Sequence, residues 1–216
     1  MAATEGTLRF RVDVLGGQKT GFFLDQRDNR LGLAPYVRGR RVLDVCCYSG
    51  AFALQALAAG AEFALGLDVS APAIELARAN AALNGLEGRC CFEVADCFGR
   101  LPEMVRAGER FGAVILDPPS FARRRSQLAP ALRAYEQLNA WAMQLLEPGG
   151  YLITSCCSHH VEREAFLAAL GRAARRARVQ ARLVELRGQA RDHPLLLAAR
   201  EMAYLKCAVL QVEPRA

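Results

Sequence analysis

Lysine is almost missing from this 216-residue chain: only Lys19 and Lys206 stand among its 28 basic residues. Arginine is thus the general cation, and an arginine by itself says little about a site. No apolar run approaches the ~18 residues of a membrane-spanning helix, which argues against an integral helical membrane protein. The opening MAATEGTLRF lacks the apolar core of a signal peptide. The chain has no C-x-x-C and no zinc-ligand spacing, so no metal site is expected. Repeats, linkers and low-complexity tracts are absent too. What is present is ordinary globular material, 52% hydrophobic and 23% charged, which argues against disorder. The length fits one domain burying roughly 70% of its unfolded surface, with no need of disulfides. Eight cysteines without an export signal therefore point to free thiols in a reducing cytoplasm.

The formal charge is +6, and residues 121–182 carry all of it, with ten arginines against four acids. Such a tract can attract a polyanion, or it can be solvated helix surface.

Short runs of β-branched and aliphatic residues that stop at an acid or a turn read as buried strands at 41–46, 62–68, 90–94, 111–117, 150–155, 179–186 and 204–212. Helix-forming segments at 51–59, 71–83, 98–107, 127–146 and 162–177 lie between them. Alternation of strand and helix requires parallel strands joined by crossover helices, hence an α/β sheet covered on both faces. A loop-like connection at 187–200 containing His193-Pro194 lets the last strand enter antiparallel. Residues 8–14 alternate, Gly16-Gly17 signals a turn, and 21–25 is strand-like again, so an amino-terminal β-hairpin is expected there. The domain reading is a hairpin extension at 1–26 followed by the α/β domain at 27–216.

Ligands of open α/β sheets bind beyond the carboxyl ends of the strands. The first full strand ends in Asp44 and a turn, Cys46-Cys47-Tyr48-Ser49-Gly50, where a glycine permits close backbone approach. It is not G-x-G-x-x-G, since Cys46 and Tyr48 replace glycines, and no pyrophosphate site is prepared. Asp68, ending the second strand, could accept ribose hydroxyls, and Asp96, ending the third, an adenine amine. Each acid alone could be a helix cap. Together they outline a nucleoside pocket without phosphates, which suggests S-adenosylmethionine with its cationic sulfonium.

The fourth strand ends in Asp117-Pro118-Pro119-Ser120. Two prolines remove donors and stiffen the exit, leaving an acid and free carbonyls to hold an exocyclic amine or a pyrimidine edge. The fifth runs into Cys156-Cys157-Ser158-His159-His160. A thiol there suits methylation of cytosine C5, which becomes nucleophilic after a thiolate adds at C6. His159, His160 and nearby arginines could favour that thiolate. Cys46, Cys90, Cys91 and Cys207 read as small core hydrophobes.

The blocks Gly17–Arg30, Asp44–Phe52, Asn84-Gly85-Leu86, Ile115–Phe121, Ser155–His160, Gly188–Pro194 and Tyr204-Leu205-Lys206 resemble the bacterial large-subunit (23S) rRNA cytosine-C5 methyltransferases, over essentially the whole chain. The resemblance implies a Rossmann-like class I methyltransferase fold of seven strands, mostly parallel with an antiparallel last strand, preceded by a β-hairpin and using S-adenosylmethionine. It aligns the nucleophile with Cys157 and a cytosine-holding acid with Asp117. Gln26 and Arg27, with Arg30 nearby, look like the family's lid over the methionine end of the cofactor, beside Asp44, Tyr48, Gly50, Asp68 and Asp96. Pro118, Pro119, Ser120, Arg123 and Arg124 are the expected substrate contacts. His160 and His193 are candidates for removing the C5 proton. The chain reads as this family without its usual amino-terminal PUA RNA-binding module. The implied partner is rRNA, with no membrane partner, and a homodimer is compatible with the reading.

Two alternatives stand beside it: an RNA methyltransferase acting on an exocyclic amine, guanine N2 or adenine N6, and a non-catalytic RNA-binding protein that keeps the fold.

Overall fold

A computed structural model describes residues 1–14, 21–122, 124–199 and 202–215. Two compact units make up the chain, Met1–Asp96 with Gln189–Pro194, and Cys97–Gly188 with Leu195–Ala216.

The first unit opens with a hairpin of β1 (Ala2–Glu5) and β2 (Leu8–Arg11), paired antiparallel from Ala2↔Arg11 to Glu5↔Leu8. Alternation in β2 was legible, but its partner is the segment before it. The expected return strand at 21–25 is instead a turn and a 3-10 helix, Leu24–Gln26, and Gly16-Gly17 lie outside the described residues. Gly21 enters that turn at φ +80°, and a Cβ there would stand 2.2 Å from the Asp13 carbonyl, so the chain folds back too closely for a ladder. Helices α1 (Arg27–Leu31) and α2 (Ala34–Val37) follow, too short to leave a periodic signal. Then come β3 (Arg41–Val45), α3 (Ala51–Ala58), β4 (Phe63–Asp68), α4 (Ala71–Leu83) and β5 (Cys90–Val94). The strands are parallel in the order β5-β4-β3. Val42, Leu43, Leu54, Ala64, Leu67 and Ile74 are completely buried among them.

The hairpin is held to this unit by polar side chains. Asn80 of α4 and Asn84, which caps its carboxyl end, offer their amide oxygens to the Arg11 and Arg9 N–H groups at 2.7 and 2.9 Å, taking the place of a strand partner.

The second unit contains α5 (Cys97–Ala107), β6 (Phe111–Leu116), α6 (Leu128–Gln144), β7 (Leu146–Cys156), α7 (Arg163–Ala177), β8 (Val179–Arg187) and β9 (Lys206–Pro214). Its order is β6-β7-β9-β8, with β6 and β7 parallel and β9 antiparallel to both neighbours. The full complement is therefore the Rossmann-like α/β one: seven mostly parallel strands with an antiparallel last strand, and an amino-terminal hairpin. Among the described residues no helix is long and apolar enough to cross a membrane.

Candidate active site

In the first unit the turn after β3 has an unusual backbone. Cys46, Tyr48 and Gly50 all adopt positive φ, at 63°, 48° and 77°. Two of them are not glycine, and left-handed backbone costs such residues roughly 1–2 kcal/mol each. The surrounding structure sustains that strain. The Tyr48 N–H donates to Asp68 Oδ2 and the Ser70 N–H to Asp68 Oδ1, both at 2.9 Å. The Tyr48 ring meets Phe23 edge-on at 5.4 Å, and its hydroxyl donates to the Gly21 carbonyl. Asp44 is completely buried and accepts the Ala53 N–H at 2.9 Å, which fixes the first turn of α3. The turn thus takes a glycine-loop shape with one glycine.

Space beside it is tight. A Cβ on Gly50 would lie 2.9 Å from Phe92 Cζ, and one on Gly66 2.5 Å from Phe92 Cδ1. Asp68 is half-buried, and Asp96 is exposed at the end of its strand. Cys47 lies beneath the turn, where burial and then Asp44 and Asp68 push its thiol pKa well up.

The residues expected as a lid are placed differently from one another. Gln26 is buried and accepts from Asn29 Nδ2 at 2.6 Å. Arg27 is partly exposed and pairs with Asp192 at 2.7 Å. His193 hydrogen-bonds Asp192 at 2.9 Å, which, ahead of the Arg27 charge, holds that carboxyl below its ordinary range. The Ala190 N–H donates to the Asp25 carbonyl, so the 189–194 segment docks on this corner of the unit. Arg30, expected near the lid, is instead 2% exposed, with Nε and Nη2 on the two oxygens of Glu5 at 2.7 and 2.5 Å. It also lies over the Phe22 ring at 4.7 Å. It is a strut for the hairpin, and its burial removes it from any ligand surface.

The second unit gathers the thiol and the proline loop. The Cys157 thiol, half-buried at the end of β7, donates to the Pro118 carbonyl at 3.8 Å. Cys156 beside it is wholly buried. Asp117 is half-buried, Pro118 buried, Pro119 exposed and Ser120 half-buried. Ser158, which the sequence reading passed over, is fully buried and joins the two loops. Its hydroxyl lies 3.0 Å from the Ser120 and Tyr135 hydroxyls and accepts the Ala122 N–H at 3.3 Å. Burial, ahead of the nearby Cys156, pushes Tyr135 far above its ordinary range. Lys206 was missed as well: its Nζ donates to the Ser158 and Tyr204 carbonyls at 2.8 Å. The available signal was a lone lysine opening an apolar strand in an arginine-rich chain.

His159 is exposed and His160 half-buried, with their rings 5.4 Å apart. Arg124 and Arg125 are exposed before α6 and Arg133 is exposed within it, and Arg123 lies outside the described residues. Arg172 of the basic tract is paired with Glu136 at 2.7 Å. Of the cysteines read as core, Cys207 is buried, but Cys46 and Cys90 are half-buried and Cys91 is exposed. Cys91 faces outward because the side chains of the short strand β5 alternate and its inward position is taken by Phe92.

Seven mostly parallel strands, a strained turn after the first of them and acids at the ends of the next two define a class I α/β methyltransferase. A family model described as S-adenosylmethionine-dependent methyltransferase matches residues 2–198, and the chain belongs to that family. The chain is 45% identical over 203 residues to the ribosomal RNA large subunit methyltransferase I of Photobacterium profundum, covering 94% of this chain and 51% of that protein. It is 43% identical over 207 residues to the enzyme of the same name from Aeromonas hydrophila, covering 95% and 52%. The chain spans about half the length of the curated relatives it matches. Its fold is that of a Streptococcus mutans methyltransferase, with TM-score 0.86 at 21% identity over 98% of this chain and 55% of that one. A methyltransferase crystallised with SAH gives 0.87 at 23% identity, covering 98% and 55%.

The donor set suits this family's cofactor. Asp68 is preorganised by two backbone N–H groups yet partly open, Asp96 is exposed, and the Gly50 backbone is bare of side chain. Carboxylates and a bare backbone match a cationic nucleoside, whereas a pyrophosphate would meet acids.

Proposed function

We propose that this chain forms 5-methylcytosine in large-subunit ribosomal RNA through a covalent adduct at Cys157. The observation that carries the reading is the Cys157 thiol resting on the Pro118 carbonyl, which joins nucleophile and base-holding loop in one unit. The names of the two ribosomal RNA methyltransferase relatives support the substrate class.

In this reading Asp68, Asp96, Tyr48 and the Gly50 backbone hold the cofactor's nucleoside, with Asp44 keeping the turn in shape, Arg27 closing over the methionine end and buried Gln26 bracing that segment through Asn29. The cofactor supplies an electrophilic methyl group. Asp117 accepts from the exocyclic amine of cytosine and, in its protonated form, donates to N3, between the stiff carbonyls of the proline loop, with Pro119 and Ser120 along the base edge. The Cys157 thiolate adds its electron pair to C6, and the displaced pair makes C5 nucleophilic. After methyl transfer, loss of the C5 proton to a base expels the thiolate and restores the ring. His160 and His193 are the residues to test as that base. Exposed Arg124, together with Arg123, meets RNA phosphates, and such contacts set affinity rather than sequence choice.

The test is nucleoside mass spectrometry of unmodified large-subunit RNA incubated with the protein and S-adenosylmethionine. New 5-methylcytosine that disappears with Cys157→Ala, while calorimetric cofactor binding persists, supports the reading. Methyl on guanine N2 or adenine N6, or full turnover by Cys157→Ala, refutes it.

A further inference from the structure

Lys206 poses an electrostatic problem. It opens β9 opposite Cys156 in the antiparallel register and is only 7% exposed. Its two hydrogen bonds go to neutral carbonyls, those of Ser158 and Tyr204. An ammonium has three donors, so one is left over. Among the described residues no carboxylate forms an ion pair with it. A buried cation without a compensating anion is unfavourable, so the neighbouring groups decide what holds it there.

Those neighbours come from several elements. Burial, the largest effect, pushes the Lys206 pKa down, while the Cys156 and Cys157 thiols of the β7 end and Glu162 before α7 pull it back up. Tyr135 of α6 bears on the same two thiols. Asp117 stands at the end of β6, whose register partner is β7. Cys156 is sealed away, whereas Cys157 is partly open and touches the proline loop. Of the two thiols at the open end of β7, Cys157 is therefore the one that reaches solvent. The Lys206 hydrogen bond to the very next residue, Ser158, ties the cation to that thiol's backbone.

We propose that Lys206 is the resident counter-cation of the Cys157 thiolate, a positioning residue that enlarges the ionised fraction of the nucleophile. The proposal rests on the reading of Cys157 as nucleophile. The thiol proton leaves to water, and Lys206 keeps its own proton throughout. The choice of residue fits the role: in a chain that uses arginine nearly everywhere, a compact ammonium sits against two carbonyls, one of them on the residue after Cys157.

Two measurements on the full chain test this without reference to methyl transfer. Iodoacetamide alkylation of Cys157, followed by peptide mass spectrometry across neutral and alkaline pH, reads the thiol's titration. Lys206→Gln keeps donors for the carbonyls but removes the charge. It is expected to raise the Cys157 midpoint by about one unit, a ~10-fold loss of thiolate near neutrality, and Lys206→Arg to restore most of it. A folded Lys206→Gln variant with an unchanged midpoint overturns the proposal. The second measurement needs no change at Lys206. With isotope-labelled lysine the chain gives only two side-chain signals, from Lys19 and Lys206. Linkage between the groups requires the Lys206 titration to move down in Cys157→Ala by the same amount. An unmoved Lys206 resonance also overturns it. Failure of the methylation reading would show elsewhere, as turnover by Cys157→Ala.

Discussion

The thiol of Cys157 donates to the carbonyl of Pro118 across 3.8 Å, so a sulfur at the end of β7 rests on the loop after β6. Its neighbour Cys156, the last residue of β7, is completely buried. The pair therefore separates packing from chemistry. Cys156→Ala should lower unfolding free energy by ~1 kcal/mol while RNA methylation stays within a few-fold of the parent. Cys157→Ala should reverse the pattern, with an unchanged melting curve and no product. Melting curves and nucleoside analysis of both variants check this.

The turn after β3 gives a second prediction. Gly50 has φ +77° and its missing side chain leaves room for Phe92, 2.9 Å from where a Cβ would stand. Gly50→Ala adds a left-handed strain of ~1 kcal/mol to that clash and should displace the turn. Titration calorimetry is expected to show S-adenosylmethionine affinity falling at least ~10-fold, a loss of 1.4 kcal/mol. At Cys46, φ 63° already strains the backbone, so Cys46→Val should destabilise while Cys46→Gly is tolerated.

Glu5 and Arg30 are 5% and 2% exposed and bind through two nitrogens, with the Gln55 amide donating to the Glu5 carbonyl at 2.9 Å. Removing one partner of such a pair strands the other charge, at a cost of ~3–5 kcal/mol. Arg30→Met should lose about that much in urea denaturation. Glu5→Met combined with Arg30→Met should recover part of it, because the uncompensated charge is gone. A loss in the single variant below 1 kcal/mol would show the pair to be solvated in solution.

These contacts mark where sequence reading stops. Strand β6 could be located because Phe111–Leu116 is apolar at every position, and buried parallel strands require that. The first hairpin strand, Ala2–Glu5, offers no such pattern, since its only buried residue is a charged one answered by Arg30 some twenty-five positions away. The acids at strand ends were visible as acids. That Asp44 serves the Ala53 N–H and Asp68 the Tyr48 N–H was not, because a carboxylate that caps a backbone and one that binds a ligand have the same sequence signature. A thiol at the end of the fifth strand was suggested by chemistry and Cys157 singled out by resemblance, whereas the Lys206 contact could not be read, because it reaches Ser158 through strand pairing 48 residues apart.

Alkaline pH should weaken the fold. Burial pushes the Cys207 thiol up to about 12, and Cys47 is also raised, chiefly by burial. Unfolded thiols ionise near the ordinary 9.0, so above that pH the unfolded chain releases protons that the folded chain keeps. Stability then falls, by up to ~1.4 kcal/mol per pH unit for each such thiol. Lys206 acts oppositely: its folded value lies below the ordinary 10.5, so between the two it favours the folded state as pH rises. Two thiols outweigh one ammonium, and urea midpoints should decline steadily above pH ~9. Cys207→Ala should make that decline shallower, and an unchanged slope would contradict the assignment.

The last prediction concerns Ser158, whose hydroxyl meets the hydroxyls of Ser120 and Tyr135 at 3.0 Å and the Ala122 N–H at 3.3 Å. Three groups from two other segments converge on one oxygen at a fully buried position. Ser158→Ala removes that oxygen and leaves the Tyr135 hydroxyl buried without this partner, which costs ~1–3 kcal/mol. The loss is not only one of stability, because the same oxygen sets the distance between the proline loop and the backbone that carries Cys157. Loosening a reacting pair by a fraction of an ångström lowers rate more than binding. Ser158→Ala should therefore keep S-adenosylmethionine affinity, since the proposed cofactor contacts belong to the other unit, while kcat for methylation drops ~10-fold or more. Tyr135→Phe combined with Ser158→Ala removes the stranded hydroxyl and should recover stability but not rate. If rate returned together with stability, Ser158 would matter only for packing, and the coupling of the two loops through its hydroxyl would be wrong.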